Sequence, residues 1–489
     1  MTSTAHPVPF TVRREPIAAC TAALFALSAA DACAGIVTSC ADDGTSGTLR
    51  SVIAAAAEDA TIDMTPLHCS YISLLTGAIV VSQNNLTIQG PGNTAFPVSD
   101  NQSPGPDTIF YHTGTGTLVI NDLYLEFGSG HRRYQNYALR SVGGGCIYSK
   151  GSVDLVRARV VHCHAYSTTP SDLFGGAILA NKNLTLVNST ISDSGLDADP
   201  SVPNPEIWGG GAFVGGNLTA KYSTIEYNYA GAANHGNLSS GGGLFVSGNL
   251  SISNSTIAHN SSGYQAGGIM AFGIGATSPA TISNSTIANN KAPKVAGIYS
   301  YESVSINNST IASNRNLAAS GLGAGITFSP VLGEITVDLH STLIADNAFV
   351  QGANRTNDDV AAVAPQFVTF TTDAQQGNFN LIRALDPSVS AASLPPDTTI
   401  GVCPLLGPLR DNGGPTWTMA LYTGSPAINA GVNSAGLAYD QRGGPMPVPN
   451  TIPPPPLAYD RHSGPASDIG AYEYQYSDMI FSSAFDGCP

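Results

Sequence analysis

Charge is scarce in this 489-residue chain: Asp, Glu, Lys and Arg together make up 11% of it, about half the usual share of a globular protein. Only 19 residues are Lys or Arg against 34 Asp or Glu, for a formal net charge of −15. Phosphate recognition needs clustered cations, so nucleic acid and anionic membrane are excluded as partners. Cys-x-x-Cys pairs are absent, which removes the usual zinc-site spacing. Also absent are a Gly-x-Ser-x-Gly elbow, a His-Glu-x-x-His helix and a phosphate loop, and nothing implies a cofactor or a resident metal. No apolar run is long enough to cross a bilayer, so no transmembrane segment is expected in the mature chain. What is abundant is Gly (53) and Pro (32), yet 42% of residues are hydrophobic. That is too apolar for a disordered chain. An elongated repeat with an aliphatic interior and a Ser, Thr and Asn surface fits this balance.

The first 34 residues read as an export signal. Arg13 and Arg14 precede the apolar stretch Ile17 to Ala30, and Ala32-Cys33-Ala34 supplies small residues for cleavage. Beyond it lie Cys40, Cys69, Cys146, Cys163, Cys403 and Cys488. An even number in an exported chain favours disulfides over metal ligands.

Internal repetition is the strongest signal. Asn188-Ser189-Thr190-Ile191 recurs as Tyr222-Ser223-Thr224-Ile225, Asn254-Ser255-Thr256-Ile257, Asn284-Ser285-Thr286-Ile287 and Asn308-Ser309-Thr310-Ile311, with a degenerate copy ending at Ile344. Gly-Gly pairs at 175, 210, 242 and 267 open the units, and three period-two segments per unit read as strands. The prediction is an all-β fold, a single-stranded right-handed parallel β-helix in which equivalent strands stack ~4.8 Å apart. An N-terminal helical cap is expected over Gly47 to Ile53, stapled by Cys40 and Cys69, and an irregular C-terminal cap over the open end. Cys146 and Cys163 fall close enough to bridge. Asn228, Asn260, Asn290, Asn314 and Asn347, preceded by Ser194, are expected to form a structural ladder at a left-handed corner. The in-register Asn-x-Ser/Thr triplets are read as structural, not as glycosylation sites.

The opening Gly47-Thr48-Leu49-Arg50, Asn85-Leu86-Thr87-Ile88-Gln89-Gly90-Pro91-Gly92 and the Gly-Gly and Asn-Ser-Thr-Ile repeats resemble pectin-lyase-fold and polymorphic-outer-membrane-protein-type β-helices. The C-terminal third resembles the choice-of-anchor Q domain. It carries Gly407-Pro408-Leu409-Arg410-Asp411-Asn412-Gly413-Gly414-Pro415-Thr416, then Gly424-Ser425-Pro426-Ala427-Ile428-Asn429-Ala430-Gly431, Asp440-Gln441-Arg442-Gly443 and Asp468-Ile469-Gly470-Ala471-Tyr472-Glu473. The resemblance spans residues 45 to 475. It implies a protein secreted by, or displayed on the outer surface of, a Gram-negative bacterium, in families where most members have no demonstrated activity. The expected organisation is a signal peptide (1–34), a cap with first coils (35–120) and β-helix repeats (121–350). Irregular coils (351–406), a choice-of-anchor Q-like cap (407–476) and a tail (477–489) follow. Arg442 is expected to pair with Asp468 or Glu473.

Two surfaces could carry a ligand. One is a basic early region with Arg132, Arg133, Arg140, Arg157 and Arg159; with Lys150 and Lys182 it holds seven of the chain's 19 Lys and Arg. By strand parity Arg157 and Arg159 should point the same way, toward an acidic polysaccharide. The other is an apolar-aromatic stripe of Ile178, Phe213, Phe245, Met270 and Tyr299, suited to sugar rings, a docking partner or a covering loop. The acids Asp154, Asp172, Asp193, Glu206 and Glu226 form no tight Asp-Asp pairs of the kind a glycosidase needs. Asn357-Asp358-Asp359 could hold calcium, yet no nonapeptide Gly-Asp repeat supports it, and no metal site is assigned. The expected role is a non-catalytic exported β-helix that presents a rigid face for adhesion or glycan binding. The alternatives are a polysaccharide lyase or glycoside hydrolase, and a structural surface-layer component.

Overall fold

The computed structural model describes residues 35–92, 96–99, 107–130, 141–169, 171–231, 238–273, 278–318, 322–331, 333–444 and 459–475. Residues 1–34, read above as an export signal, and the tail 477–489 lie outside the described residues.

The chain winds as a parallel β-solenoid. Two twelve-stranded sheets and one ten-stranded sheet run its length, every neighbouring pair parallel and one coil apart in sequence. One coil shows the order: Ile178–Ala180 in sheet III, Leu184–Val187 in sheet I, Thr190–Ser192 in sheet II, then back to Ala212–Val214 in sheet III. Two shorter sheets of eight and four strands widen the middle coils between sheets II and III, so coils there carry up to five segments where three were expected.

Register follows the repeat. Ile191, Ile225, Ile257, Ile287, Ile311 and Ile344 are Cα partners in succession and are all fully buried. Leu184, Leu218 and Leu250 do the same in sheet I. Each aliphatic side chain therefore meets its equivalents above and below, and a single continuous core results.

The four residues of each Asn-Ser-Thr-Ile unit have separate tasks. The first takes a left-handed backbone, with φ of 51° at Asn188, Tyr222 and Asn284. The second is buried and forms a hydroxyl ladder: Ser223 Oγ accepts from Ser189 N at 3.2 Å, and Ser255 Oγ from Ser223 N at 3.1 Å. The third faces outward and the fourth fills the core.

The expected asparagine ladder exists. Asn228 Nδ2 donates to Asn260 Oδ1 at 3.0 Å, Asn260 to Asn290 at 3.0 Å, Asn290 to Asn314 at 2.9 Å and Asn314 to Asn347 at 2.8 Å. Each also donates to an isoleucine carbonyl of the preceding coil, as Asn260 does to Ile225 at 2.9 Å. The backbone differs from expectation: the left-handed residue is the one before each ladder position, namely Asp193, Tyr227, His259, Asn289, Ser313 and Asp346. The asparagine amides close the corner, and their neighbours turn it. Ser194 starts the ladder, donating its N–H to Asn228 Oδ1 at 3.1 Å.

The helix Leu49–Ala55, capped by Thr48 Oγ1, buries Leu49 and Ile53 over the first coil, which shields its edge. Disulfides join Cys40 to Cys69 and Cys146 to Cys163, and Cys403 is also disulfide-bonded.

The irregular C-terminal segment packs along the solenoid's flank, whereas the sequence placed it over the open end. Its hydrogen bonds climb the outward face of sheet II: Thr256 Oγ1 donates to Trp417 O at 2.6 Å, Thr286 Oγ1 to Gln441 Oε1 at 2.6 Å, and Ala471 N to Thr310 Oγ1 at 3.0 Å. The outward threonines of the repeat are thus its docking rail. Its interior is a buried charge network. Arg442 pairs with Asp440 at 2.7 Å, not with Asp468 or Glu473, and donates to the Glu473 carbonyl at 2.7 Å. The Tyr459 and Tyr472 rings lie 4.0 and 3.8 Å from its guanidinium. Arg461 is the cation facing the Glu473 carboxylate, at 3.9 Å. Sequence adjacency decides the first pairing, since a two-residue turn brings Asp440 onto its own Arg442.

Candidate functional site

Among the described residues of the basic early coils, Arg157, Arg159 and Lys182 are each engaged by a neighbouring group. Arg157 sits at a corner with φ of 49°, so the alternation breaks there and Arg159 begins the next sheet. Arg157 donates from Nε and Nη2 to the two oxygens of Asp122, each at 2.6 Å. That contact lowers the Asp122 carboxyl below its usual range against the opposing effect of burial. Arg159 lies over the Tyr124 ring at 5.1 Å, and Lys182 Nζ donates to Thr115 O at 2.6 Å. Arg132, Arg133 and Arg140 lie outside the described residues.

The stripe on sheet III is real but shifted at one member. Ile178 pairs with Ala212 and Leu244 in the inward file. The outward file runs Tyr111, Tyr148, Leu179, Phe213, Phe245, Met270 and Tyr299. The slip has a plain cause: Gly209-Gly210-Gly211 matches Gly175-Gly176-Ala177, so counting from the first visible Gly-Gly pair misplaces the strand by one. Within this file Phe245, Met270 and Tyr299 are buried in a cluster separate from the main core, with Trp208, Phe213, Phe272 and Tyr301 packed against it. Trp208 stacks on Phe245 at 4.7 Å with planes 6° apart, and Phe213 on Phe245 at 5.5 Å. The side chains of this stripe therefore pack against one another along sheet III.

The more open surface is the upstream half of sheet II, which sequence reasoning did not single out. Its outward file is Tyr124, Arg159, Thr190, Thr224, Thr256, Thr286 and Thr310. Thr256 and later members are buried under the C-terminal segment, while Tyr124, Arg159, Thr190 and Thr224 are partly exposed. Around them Phe127 is 41% exposed, Tyr227 48% and, at the edge of the covering segment, Trp417 44%. Phe127 stacks on His162 at 5.1 Å and Tyr227 on His259 at 4.6 Å. Glu126 accepts from Tyr124 Oη at 2.6 Å. Glu226 is raised above the usual carboxylate range by burial and by the neighbouring charge of Asp193. No pattern in the chain announces this face, because the segment that bounds it is some 160 residues downstream of Thr256.

The remaining acids are spread over other surfaces. Asp154 is on sheet I, raised by burial, and Asp172 lies beside Glu206 in the four-stranded sheet, accepting from its N–H at 3.0 Å. Among the described residues no group of three or more His, Cys, Asp or Glu converges as a metal site, and no helix is long and apolar enough to cross a membrane.

The architecture defines the class: a parallel β-solenoid with an integral clamp along one flank. The chain matches no protein-family model, no curated protein and no solved structure.

Proposed function

We propose that this is an exported, non-catalytic β-helix that binds glycan on the upstream face of sheet II. The observation carrying the proposal is a line of exposed rings along the sheet II face, Phe127 and Tyr227 three strands apart and Trp417 beside Thr256, with Tyr124, Arg159 and Thr224 as polar partners between them. Flat sugar rings stack on such side chains while hydroxyls and charges orient them. Pairing of Arg157 with Asp122 supports a binding role over an elimination that would need a free cation. The disulfides favour an oxidising, extracellular setting, in keeping with the signal-like N-terminus. The likeness of residues 407–475 to the choice-of-anchor Q domain, and of the repeats to polymorphic outer-membrane proteins, supports display at a cell surface.

A second reading, glycoside hydrolysis, draws on Glu226 and Asp193 alone: a raised carboxyl beside a second carboxylate is how a general acid is prepared. Incubating the purified chain with acidic and neutral polysaccharides separates the readings. Retention on an insoluble polysaccharide, lost in Phe127→Ala/Tyr227→Ala, without new reducing ends or unsaturated products, supports binding. Product formation abolished by Glu226→Gln supports hydrolysis. Concentration-dependent self-association with no retention replaces both with a surface-layer role.

A further inference from the structure

We propose that Asp358 and Asp386 hold a hard divalent cation, calcium, where the asparagine ladder ends. The ladder terminates on an acid: Asn347 Nδ2 donates to Asp359 Oδ1 at 2.7 Å, and the other Asp359 oxygen accepts from Ala384 N at 2.7 Å. Asp359 is therefore satisfied by the fold. Its neighbour Asp358 is not. That side chain is 4% exposed, and neither carboxylate oxygen has a hydrogen-bond partner.

The main chain fixes Asp358 in this position. Its N–H donates to Asn347 O at 2.8 Å and its carbonyl accepts from Ala324 N at 2.7 Å, so the residue cannot turn outward without opening two coils. Burial pushes Asp358 up to about 7, and the charge of a second acid, Asp386, adds to this; Asp386 lies on the adjacent coil, where its N–H donates to Val360 O at 3.0 Å. Nearby cationic charge is directed elsewhere, since Arg383 pairs with Asp346. A buried carboxylate without donors is costly unless a proton or cation neutralises it, and a divalent cation neutralises both acids at once.

The donor set selects the ion. Both side chains offer oxygen only, which favours calcium or magnesium over zinc. Two carboxylates leave the remaining positions to main-chain carbonyls and water, and calcium accepts such mixed, irregular oxygen sets more readily than magnesium. Glu302 is a natural control. It too is buried with both oxygens unpartnered and pushed up to about 7, but burial alone is the cause and no second acid faces it.

The test is thermal unfolding of the full exported chain, stripped with EDTA, then titrated with calcium chloride at mildly alkaline pH and constant ionic strength. Calcium is expected to raise Tm by several degrees in the parent and in Glu302→Gln. It should leave Asp358→Asn and Asp386→Asn unmoved. In EDTA the Asp358→Asn variant should melt no lower than the parent, showing that it folds. An unchanged parent Tm, or a calcium response that survives in Asp358→Asn, would overturn the proposal.

Discussion

Replacing Asn260 by alanine tests the ladder at its centre. The amide donates to Asn290 Oδ1 and to the Ile225 carbonyl, and it accepts from both the backbone N–H and the Nδ2 of Asn228. Truncation removes all four bonds. It leaves two Asn228 hydrogens without an acceptor and deprives the Ile225 carbonyl of a donor, in a corner that is fully buried. At ~1–3 kcal/mol per orphaned buried group, the expected loss is about 3–6 kcal/mol. Because a solenoid's stability is a sum over neighbouring coils, the damage should fall on the coils around residues 228–290 and broaden the transition. Urea denaturation followed by far-UV circular dichroism measures it, with Thr219→Ala on the outer face of sheet I as a control expected within ~0.5 kcal/mol of the parent. Asn260→Asp keeps the acceptor and loses both donors, so it should be less harmful in acid than at neutral pH. A loss under about 1 kcal/mol for Asn260→Ala, equal to the control, would refute the reasoning.

Other consequences concern pH, the clamp and the disulfides. Glu302, Asp358, Asp359 and Glu473 are each pushed up to about 7, chiefly by burial. The folded state then keeps protons that the unfolded chain releases near pH 4, so the stability these four groups contribute is fully present in acid and is lost as pH rises toward 7. In the absence of calcium it should fall as pH rises toward 7, by up to ~1.4 kcal/mol per pH unit for each group; Glu302→Gln should flatten the profile measured by denaturation midpoints. Arg442→Ala strands the buried Asp440 carboxylate and should cost about 3–5 kcal/mol. Limited proteolysis is expected to cut within 403–475 while the coil spectrum persists. Replacing Cys146 and Cys163 by alanine opens a link across 17 residues and should lower stability by ~2–4 kcal/mol, read from the same urea titration.

Local periodicity made the coil legible. The isoleucine file, the asparagine ladder and both bridges involving Cys40 and Cys146 follow from spacing within one repeat, because stacking forces equivalent positions together. The failures share a different cause. Ile178 was misplaced by one residue where a glycine triplet obscures the register, and the same φ-positive position passes from Gly241 to Ala266 and Val295 downstream, erasing the glycine mark altogether. Arg157 and Arg159 seemed aligned only because the corner between them leaves no trace in composition. The partners of Arg442 and the covered threonines depend on contacts between segments far apart in sequence, which no repeat encodes. The open half of sheet II emerges by subtraction, visible once the clamp's extent is known.

The register of the coils underlies every surface described, and it can be measured directly. Thr219 and Thr281 are both one strand from Ser251, on opposite sides and in the same outward file, so nitroxides on cysteines at 219 and 281 should lie two strand spacings apart, ~10 Å by backbone. Continuous-wave electron paramagnetic resonance should then show strong dipolar broadening, absent in either single-labelled protein. Spectra equal to the sum of the single labels would contradict the stacked register.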